Sequence, residues 1–249
     1  MRHVPASGRH DCDACPLRSN PTFRAFDPEQ VAFLKSFKTG EITVPAGATV
    51  LSQGEESASI YTVLEGWGYR YKSLDDGRVQ ILNFIMPGDL IGLQGAVLDE
   101  MGHSVDASSD MTLCVFERRK LWSLFSGFPS LAYDLTWLAS REEQLLDEHL
   151  VSLGRRSALE RVGHVLVVLH DRAVETGAAP KGTMPFPFSQ RQLADTLGLS
   201  LVHTNKTLRK LMDRGVITWW DRSFLILDRE GLCEIAKYEP AVMKPRPFV

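Results

Sequence analysis

Turn residues cut the stretch from Glu41 to Glu117 into short β-rich runs, and this limits the fold more than any other feature. The runs are Ile42-Thr43-Val44, Thr49-Val50-Leu51, Ile60 to Leu64, Trp67 to Lys72, Gln80 to Met86 and Thr112 to Phe116. Between them stand Pro45-Ala46-Gly47, Gly54-Glu55, Glu65-Gly66, Asp75-Asp76-Gly77 and Pro87-Gly88-Asp89. Asp76-Gly77 predicts a hairpin, because both residues tolerate the positive φ that a tight turn requires. Many short strands at this spacing predict an antiparallel barrel or sandwich, with room for about eight strands.

The flanks have a different texture. Residues 1–26 carry no periodic pattern and read as a tail, which contains His10-Asp11-Cys12-Asp13-Ala14-Cys15. Asp27-Pro28-Glu29-Gln30 then combines a capping Asp, a first-turn proline and a first-turn acid, so a short helix is predicted to about Phe37. After Phe128-Pro129-Ser130, Leu131, Leu135, Leu138 and Leu145 form a heptad-like seam. Leu146, Leu150 and Leu153 make a neighbouring stripe. Two stripes suit a helix that touches both its own domain and a second copy of the chain. A helix buried within one chain has the same periodicity. Gly154 is predicted to end this helix, and residues 155–176 read as another, followed by a Gly/Pro-rich loop from Gly177 to Pro187.

Two short helices follow. Ser189-Gln190-Arg191-Gln192 has the Ser-x-x-Gln form of a capping box, and Gly198 stops the helix it starts. Ser200 caps a second helix that runs to about Arg214, and Gly215 ends it. Strand-like runs flank Asp221-Arg222-Ser223. Two short helices joined by a tight, glycine-containing turn predict a helix-turn-helix, and the strand pair a wing. Leu193, Ala194, Leu197 and Leu199 are expected to face inward, followed by Val202, Leu208 and Leu211. His203, Thr204, Asn205, Lys206, Arg209 and Lys210 form a polar face on the second helix. Asn can pair with adenine, Lys can reach guanine, and a Thr methyl can touch the thymine methyl. Ser189, Gln190 and Arg191 open the first helix, where free N–H groups favour a phosphate. Ser200 opens the second.

Charge agrees with a nucleic-acid partner. The 249 residues carry a net −3, but from Arg155 onward 15 basic and 10 acidic residues give +5. The rest of the chain carries −8. Such a split points to one half meeting a polyanion. With 44% apolar residues the chain is not of a disordered class. No run reaches the roughly 18 apolar residues of a membrane span, so no membrane partner is expected. The N-terminus has no apolar signal-peptide core. Four cysteines are too few for a disulfide scaffold, so a cytoplasmic location is expected. No nucleophile elbow, phosphate loop or His-Glu-x-x-His is present, and the chain does not read as an enzyme.

Taken in order, these elements resemble the CRP/FNR family of bacterial transcription regulators. The resemblance covers residues 28 to 236 and rests on four stretches. They are Val63-Leu64-Glu65-Gly66, Asp75-Asp76-Gly77-Arg78, Pro87-Gly88-Asp89-Leu90-Ile91-Gly92 and Leu193 to Ser200. It implies an α+β chain in four parts: a cysteine-bearing tail at 1–27, a cyclic-nucleotide-type β jelly-roll barrel at 28–127, a dimerisation helix at 128–153, and a winged helix-turn-helix at 154–249. It also implies a homodimer on palindromic double-stranded DNA, with RNA polymerase as a further partner. A cyclic-nucleotide-type module that regulates a protein partner is the alternative.

The signal is less legible. The cyclic-AMP branch has Gly-x-x-Gly-Glu and a later Arg-Ser. Here the effector cassette is degenerate: Gly88, Gly92, Leu93, His103 and Ser104. Leu93 cannot accept a ribose hydroxyl, and a neutral His is a poor substitute for a phosphate-clamping Arg, so cyclic AMP is not expected. The oxygen-sensing, FNR/FixK-like branch holds an iron–sulfur cluster with three N-terminal cysteines and one in the barrel. Cys12, Cys15 and Cys114 match three of these, leaving His10, Asp11 or Asp13 for the fourth position. A thiol–disulfide or zinc response, or an inert buried Cys114, fits the same residues. The recognition helix also departs from both branches, with Val202, Asn205 and Lys206 at their base-reading positions. A different half-site is expected.

Overall fold

A computed structural model describes residues 2–5, 10–179, 183–220, 222–240 and 245–248. Part of the predicted tail (1 and 6–9), part of the predicted loop (180–182) and Asp221 of the wing turn lie outside the described residues. The chain divides into two units, the first made of residues 1–72, 84–143 and 244–249, the second of 73–83 and 144–243.

The strands in and beside the first unit are β1 (Arg2–Pro5), β2 (Lys38–Val44), β3 (Thr49–Leu51), β4 (Ser59–Glu65), β5 (Gly68–Ser73), β6 (Val79–Ile85), β7 (Leu90–Ile91), β8 (Ser104–Ala107) and β9 (Met111–Glu117). The helices are α1 (Pro28–Phe37), α2 (Leu93–Leu98), α3 (Leu121–Gly127) and the start of α4 (Pro129–Arg155). One sheet runs β1-β2-β9-β4-β7 and the other β3-β8-β5-β6. The expected eight strands between 41 and 117 are β2 to β9. The Asp76-Gly77 turn forms as predicted, with Gly77 at φ 82° and its N–H bonded to Leu74 O.

Strand β9 shows why its sequence does not alternate. Met111, Leu113 and Val115 join a core with Ile42, Val44, Val63, Ile85 and Val105. Cys114 and Phe116 face the other way, into a second core with Leu17, Phe26, Leu34, Leu124, Leu131 and Leu135. A strand covered on both faces becomes a continuous apolar run.

The tail reading of residues 1–27 is corrected. β1 adds an antiparallel strand to β2, and Leu17, Phe23 and Phe26 are buried in the second core. Single apolar residues at irregular spacing anchor an irregular segment, so no period reveals them. Arg24 pairs with the fully buried Asp134 of α4, and Lys35 pairs with Asp11 and Asp13.

Gly154 does not end α4, which continues to Arg155. Its φ is not positive and nothing crowds it, so it is simply an exposed helical glycine. The break comes at Ser157, whose capping box with Glu160 starts α5 (Ala158–Glu175). Arg161 donates to the carbonyls of Leu153, Arg156 and Leu197.

The second unit adds β10 (Thr183–Pro185), α6 (Gln190–Leu197), α7 (Leu201–Asp213), β11 (Ile217–Trp220), β12 (Ser223–Ile226) and α8 (Arg229–Ala236). β10-β12-β11 is an antiparallel wing sheet, with Phe186, Trp219 and Phe224 packed on one another. α5 packs against α7 and α8. This unit also takes in the hairpin residues 73–83. Gln80 donates to Thr196 O at 3.0 Å, and Arg172 to Asn83 Oδ1 at 3.0 Å.

Candidate functional site

The α6–α7 pair forms as the sequence predicts. Ser189 accepts from Gln192 N–H while the Gln192 side chain accepts from Ser189 N–H, closing the capping box. Gly198 takes φ 61° to turn the chain, and Ser200 accepts from His203 N–H. Leu193, Ala194, Leu197, Leu208 and Leu211 are buried between the helices and α5.

Burial fixes which α7 side chains can reach a ligand. His203, Asn205, Lys206, Arg209 and Lys210 are exposed, as are Ser189, Gln190, Arg191 and Ser200. Thr204 is not: it is 0% exposed and its hydroxyl donates to Ser200 O. Its expected thymine contact is therefore withdrawn. Val202, expected inward, is 65% exposed on the open side, and Leu199 is only half-buried. The swap is a rotation of the helix face: placing Leu208 and Leu211 in the core brings Thr204 and Thr207 inward with them and turns Val202 out. Among the described residues, no side-chain partner engages Asn205, Lys206, Arg209 or Lys210, whereas Arg191 pairs with Asp195. Four unengaged polar or cationic groups on one helical face form a surface ready for phosphates and base edges.

On α4, the predicted dimer seam divides. Leu131, Leu135 and Leu138 are buried in the first unit's own core, and Leu145 is half-buried. Toward the C-terminal half of α4 the exposed large apolar residues are Leu146, Leu150 and Val151, with Leu150 69% exposed, and Tyr133 is exposed nearer its start.

The cassette residues take part in the fold's own packing and hydrogen bonds. A Cβ on Gly88 would lie 2.5 Å from the Phe23 ring. Gly92 caps α2 at φ 90°, and Leu93 packs on the second core. Ser104 Oγ accepts from Gln53 N–H. His103 is held neutral, its pKa lowered to about 4 by burial and by Arg70. Arg70 is the residue sequence reasoning missed. It is a buried guanidinium near His103, and it is already engaged with Glu142 at 2.5 Å and Leu90 O at 2.7 Å. Nothing in its sequence neighbourhood signals burial, because its partners come from 20 and 72 positions away.

Cys12, Cys15 and Cys114 line one small cavity of about 40 Å³ with Leu17, Phe26, Leu34, Phe116 and Phe248. Burial pushes all three thiols up, Cys114 to about 12, so they rest protonated. Next to them Lys38 Nζ donates to Glu41 Oε1 and to His10 O, both at 2.7 Å. Glu41 lies opposite Cys114 in the β2–β9 register. His10 Nδ1 lies 3.3 Å from Glu41 Oε2. Cys233 sits apart on α8.

Residues 41–127 match the family model of a cyclic nucleotide-binding domain, and residues 160–235 that of a Crp-like helix-turn-helix domain. The chain is 33% identical over 221 residues to the nitrogen fixation regulation protein FixK of Bradyrhizobium diazoefficiens, covering 88% of this chain and 91% of that one. It is 27% identical to the transcriptional activator protein FnrL of Cereibacter sphaeroides, over 84% of each. The solved structure of FixK2 from Bradyrhizobium japonicum matches with a TM-score of 0.73 at 26% identity, covering 82% of this chain and 99% of that one. The chain belongs to the CRP/FNR family of transcription regulators.

An iron–sulfur cluster is what the oxygen-sensing branch of the CRP/FNR family implies at these cysteines. The donor set does not fit one as arranged. Three thiols share the cavity, but His10 is turned to Glu41, and Asp11 and Asp13 pair with Lys35, so among the described residues none of the three candidate fourth ligands is free. Among the described residues no group of three or more His, Cys, Asp or Glu is gathered to hold a metal ion. Among the described residues, too, no helix is long and apolar enough to cross a membrane.

Proposed function

We propose that this CRP/FNR-family chain is a homodimeric, sequence-specific DNA-binding regulator that reads a palindromic promoter site through α7. The observation that carries this is the open α7 face, where Asn205, Lys206, Arg209 and Lys210 stand exposed and unengaged on a helix-turn-helix core. In a dimer, two such helices would read half-sites about one helical turn apart, with RNA polymerase recruited beside them. Asn205 and Lys206 are assigned to base edges, Arg209 and Lys210 to phosphates, and Val202 to a thymine methyl. Ser189, Gln190 and Arg191 at the start of α6 would hold the backbone. Selection from randomised duplexes should return an inverted repeat, and a collection with no two-fold symmetry would refute the reading.

The dimer is assigned to the exposed Leu146, Leu150 and Val151 stripe of α4. Light scattering should report near twice the 27.9 kDa chain mass, falling toward one chain in Leu150→Glu. A wild-type monomer at micromolar concentration would overturn it.

The signal is assigned to oxygen or redox state rather than cyclic AMP. Arg70 is already neutralised by Glu142, and Leu93 offers no ribose acceptor, which supports setting cyclic AMP aside. The three-thiol cavity supports the redox reading. Iron and sulfide analysis of anaerobically isolated protein tests the cluster form of that reading directly. With three thiols and His10 held by Glu41, no stoichiometric cluster is expected.

A further inference from the structure

The cysteine cavity has a wall that comes from the far end of the sequence. Phe248, 5% exposed, lines it beside Cys12, Cys15 and Cys114. Its ring packs on Phe26 at 4.7 Å and on Phe23 at 5.2 Å. Two residues earlier, Arg246 is 7% exposed. Its guanidinium reaches Asp89 Oδ1 at 2.5 Å and Gly88 O at 3.1 Å. Its backbone bridges to the N-terminal segment, with Arg246 N–H donating to Thr22 O at 2.9 Å and Arg24 N–H to Arg246 O at 2.8 Å. Asp89 is itself held, accepting from Met86 N–H at 2.9 Å.

We propose that Pro245–Phe248 is a strap that closes the cysteine cavity, with Arg246–Asp89 as its latch, so that a small thiophilic species reaches these thiols only when the strap lifts. Three features argue for a cover rather than a loosely resting segment. A buried ion pair with a backbone bridge on either side defines one docked position. The occupant at the cavity wall is an aromatic ring, which excludes water from the thiols beside it. Gly88 has no side chain where Phe23 must approach, so the ring packs against the same residue whose carbonyl Arg246 holds. The inference does not depend on a cluster: it concerns access to the thiols, whatever reacts there.

The test is native-state labelling with N-ethylmaleimide, read by mass spectrometry at each cysteine. In the unaltered chain, Cys233 should label well before Cys114 and Cys15. Arg246→Ala and Phe248→Ala should speed labelling of Cys15 and Cys114 by tenfold or more while leaving Cys233 unchanged. Phe248→Leu, which keeps an apolar plug, should stay close to the unaltered chain. A parallel rise at Cys233 would mark general unfolding, and the decision then rests on the unaltered chain alone. Equal labelling of Cys114 and Cys233 there, or no acceleration in a folded Arg246→Ala or Phe248→Ala protein, would overturn the proposal.

Discussion

The α7 face and the cysteine cavity place their chemistry at opposite ends of the burial scale. On α7 the polar side chains are exposed and unengaged, resting on a core that only has to hold the helix. In the cavity Cys114 belongs to the core, 7% exposed and clustered with Leu64 and Phe116, and Cys12 and Cys15 are half-buried against it. An open face keeps its groups solvated and charged, ready for a polyanion that brings its own counter-charge. A closed cavity suppresses ionisation, because burial in apolar surroundings disfavours the thiolate. One surface is built for immediate contact, the other for a resting state that changes only when something enters.

This contrast can be broken by separating stability from DNA affinity. The largest effect is expected at Phe116→Ala in the cavity wall. It should lower stability by roughly 3–5 kcal/mol in denaturant titrations, with DNA affinity of the remaining folded protein unchanged. If affinity fell instead, the two sites would not be separable.

Next is pH. Burial first, and then Arg70 for His103 and Arg156 for His164, lowers both histidines to about 4, below the ordinary 6.5. A folded-state pKa below the unfolded one means that the unfolded chain binds more protons, so stability is fully present above pH 6.5 and is lost as pH falls toward 4. The loss is up to about 3 kcal/mol for each histidine. Thermal melts at a series of pH values should show it, and His164→Gln should flatten part of the slope. A stability curve level between pH 6.5 and 4 would contradict the assignment.

On the open side, Lys206→Ala should weaken binding to the selected duplex by roughly 1–3 kcal/mol in fluorescence anisotropy. Its stability should stay within about 0.5 kcal/mol of the unaltered chain. The finest test compares neighbours. Asn205→Ala should relax preference at one base pair, whereas Thr204→Ala should leave every preference intact and cost about 1 kcal/mol of stability through its lost hydroxyl bond. Altered base preference in Thr204→Ala would mean that α7 presents a different face to DNA.

The helix-turn-helix was legible because its signals are local. Ser189, Gln192, Gly198 and Ser200 act on backbone groups within four residues, so spacing alone places two helices and their turn. Thr204 escaped because a one-position error in helical phase exchanges a buried methyl for an exposed one. The barrel strands were legible for the same local reason, turn by turn. The N-terminal segment was not: Leu17, Phe23 and Phe26 have no periodicity, and only the surface they dock on gives them meaning.

The sequence by itself determined the strand-rich barrel, the capped helix pair with its basic face, and the separation of charge between the two halves of the chain. Each depends on interactions a few residues apart. Only the tertiary structure decided that Cys12, Cys15 and Cys114 share one cavity, that Arg70 is neutralised by Glu142, and that Phe248 closes the cysteine wall under a latch between Arg246 and Asp89. Those contacts join residues separated by tens to hundreds of positions, where sequence spacing carries no distance information and only packing sets which groups meet.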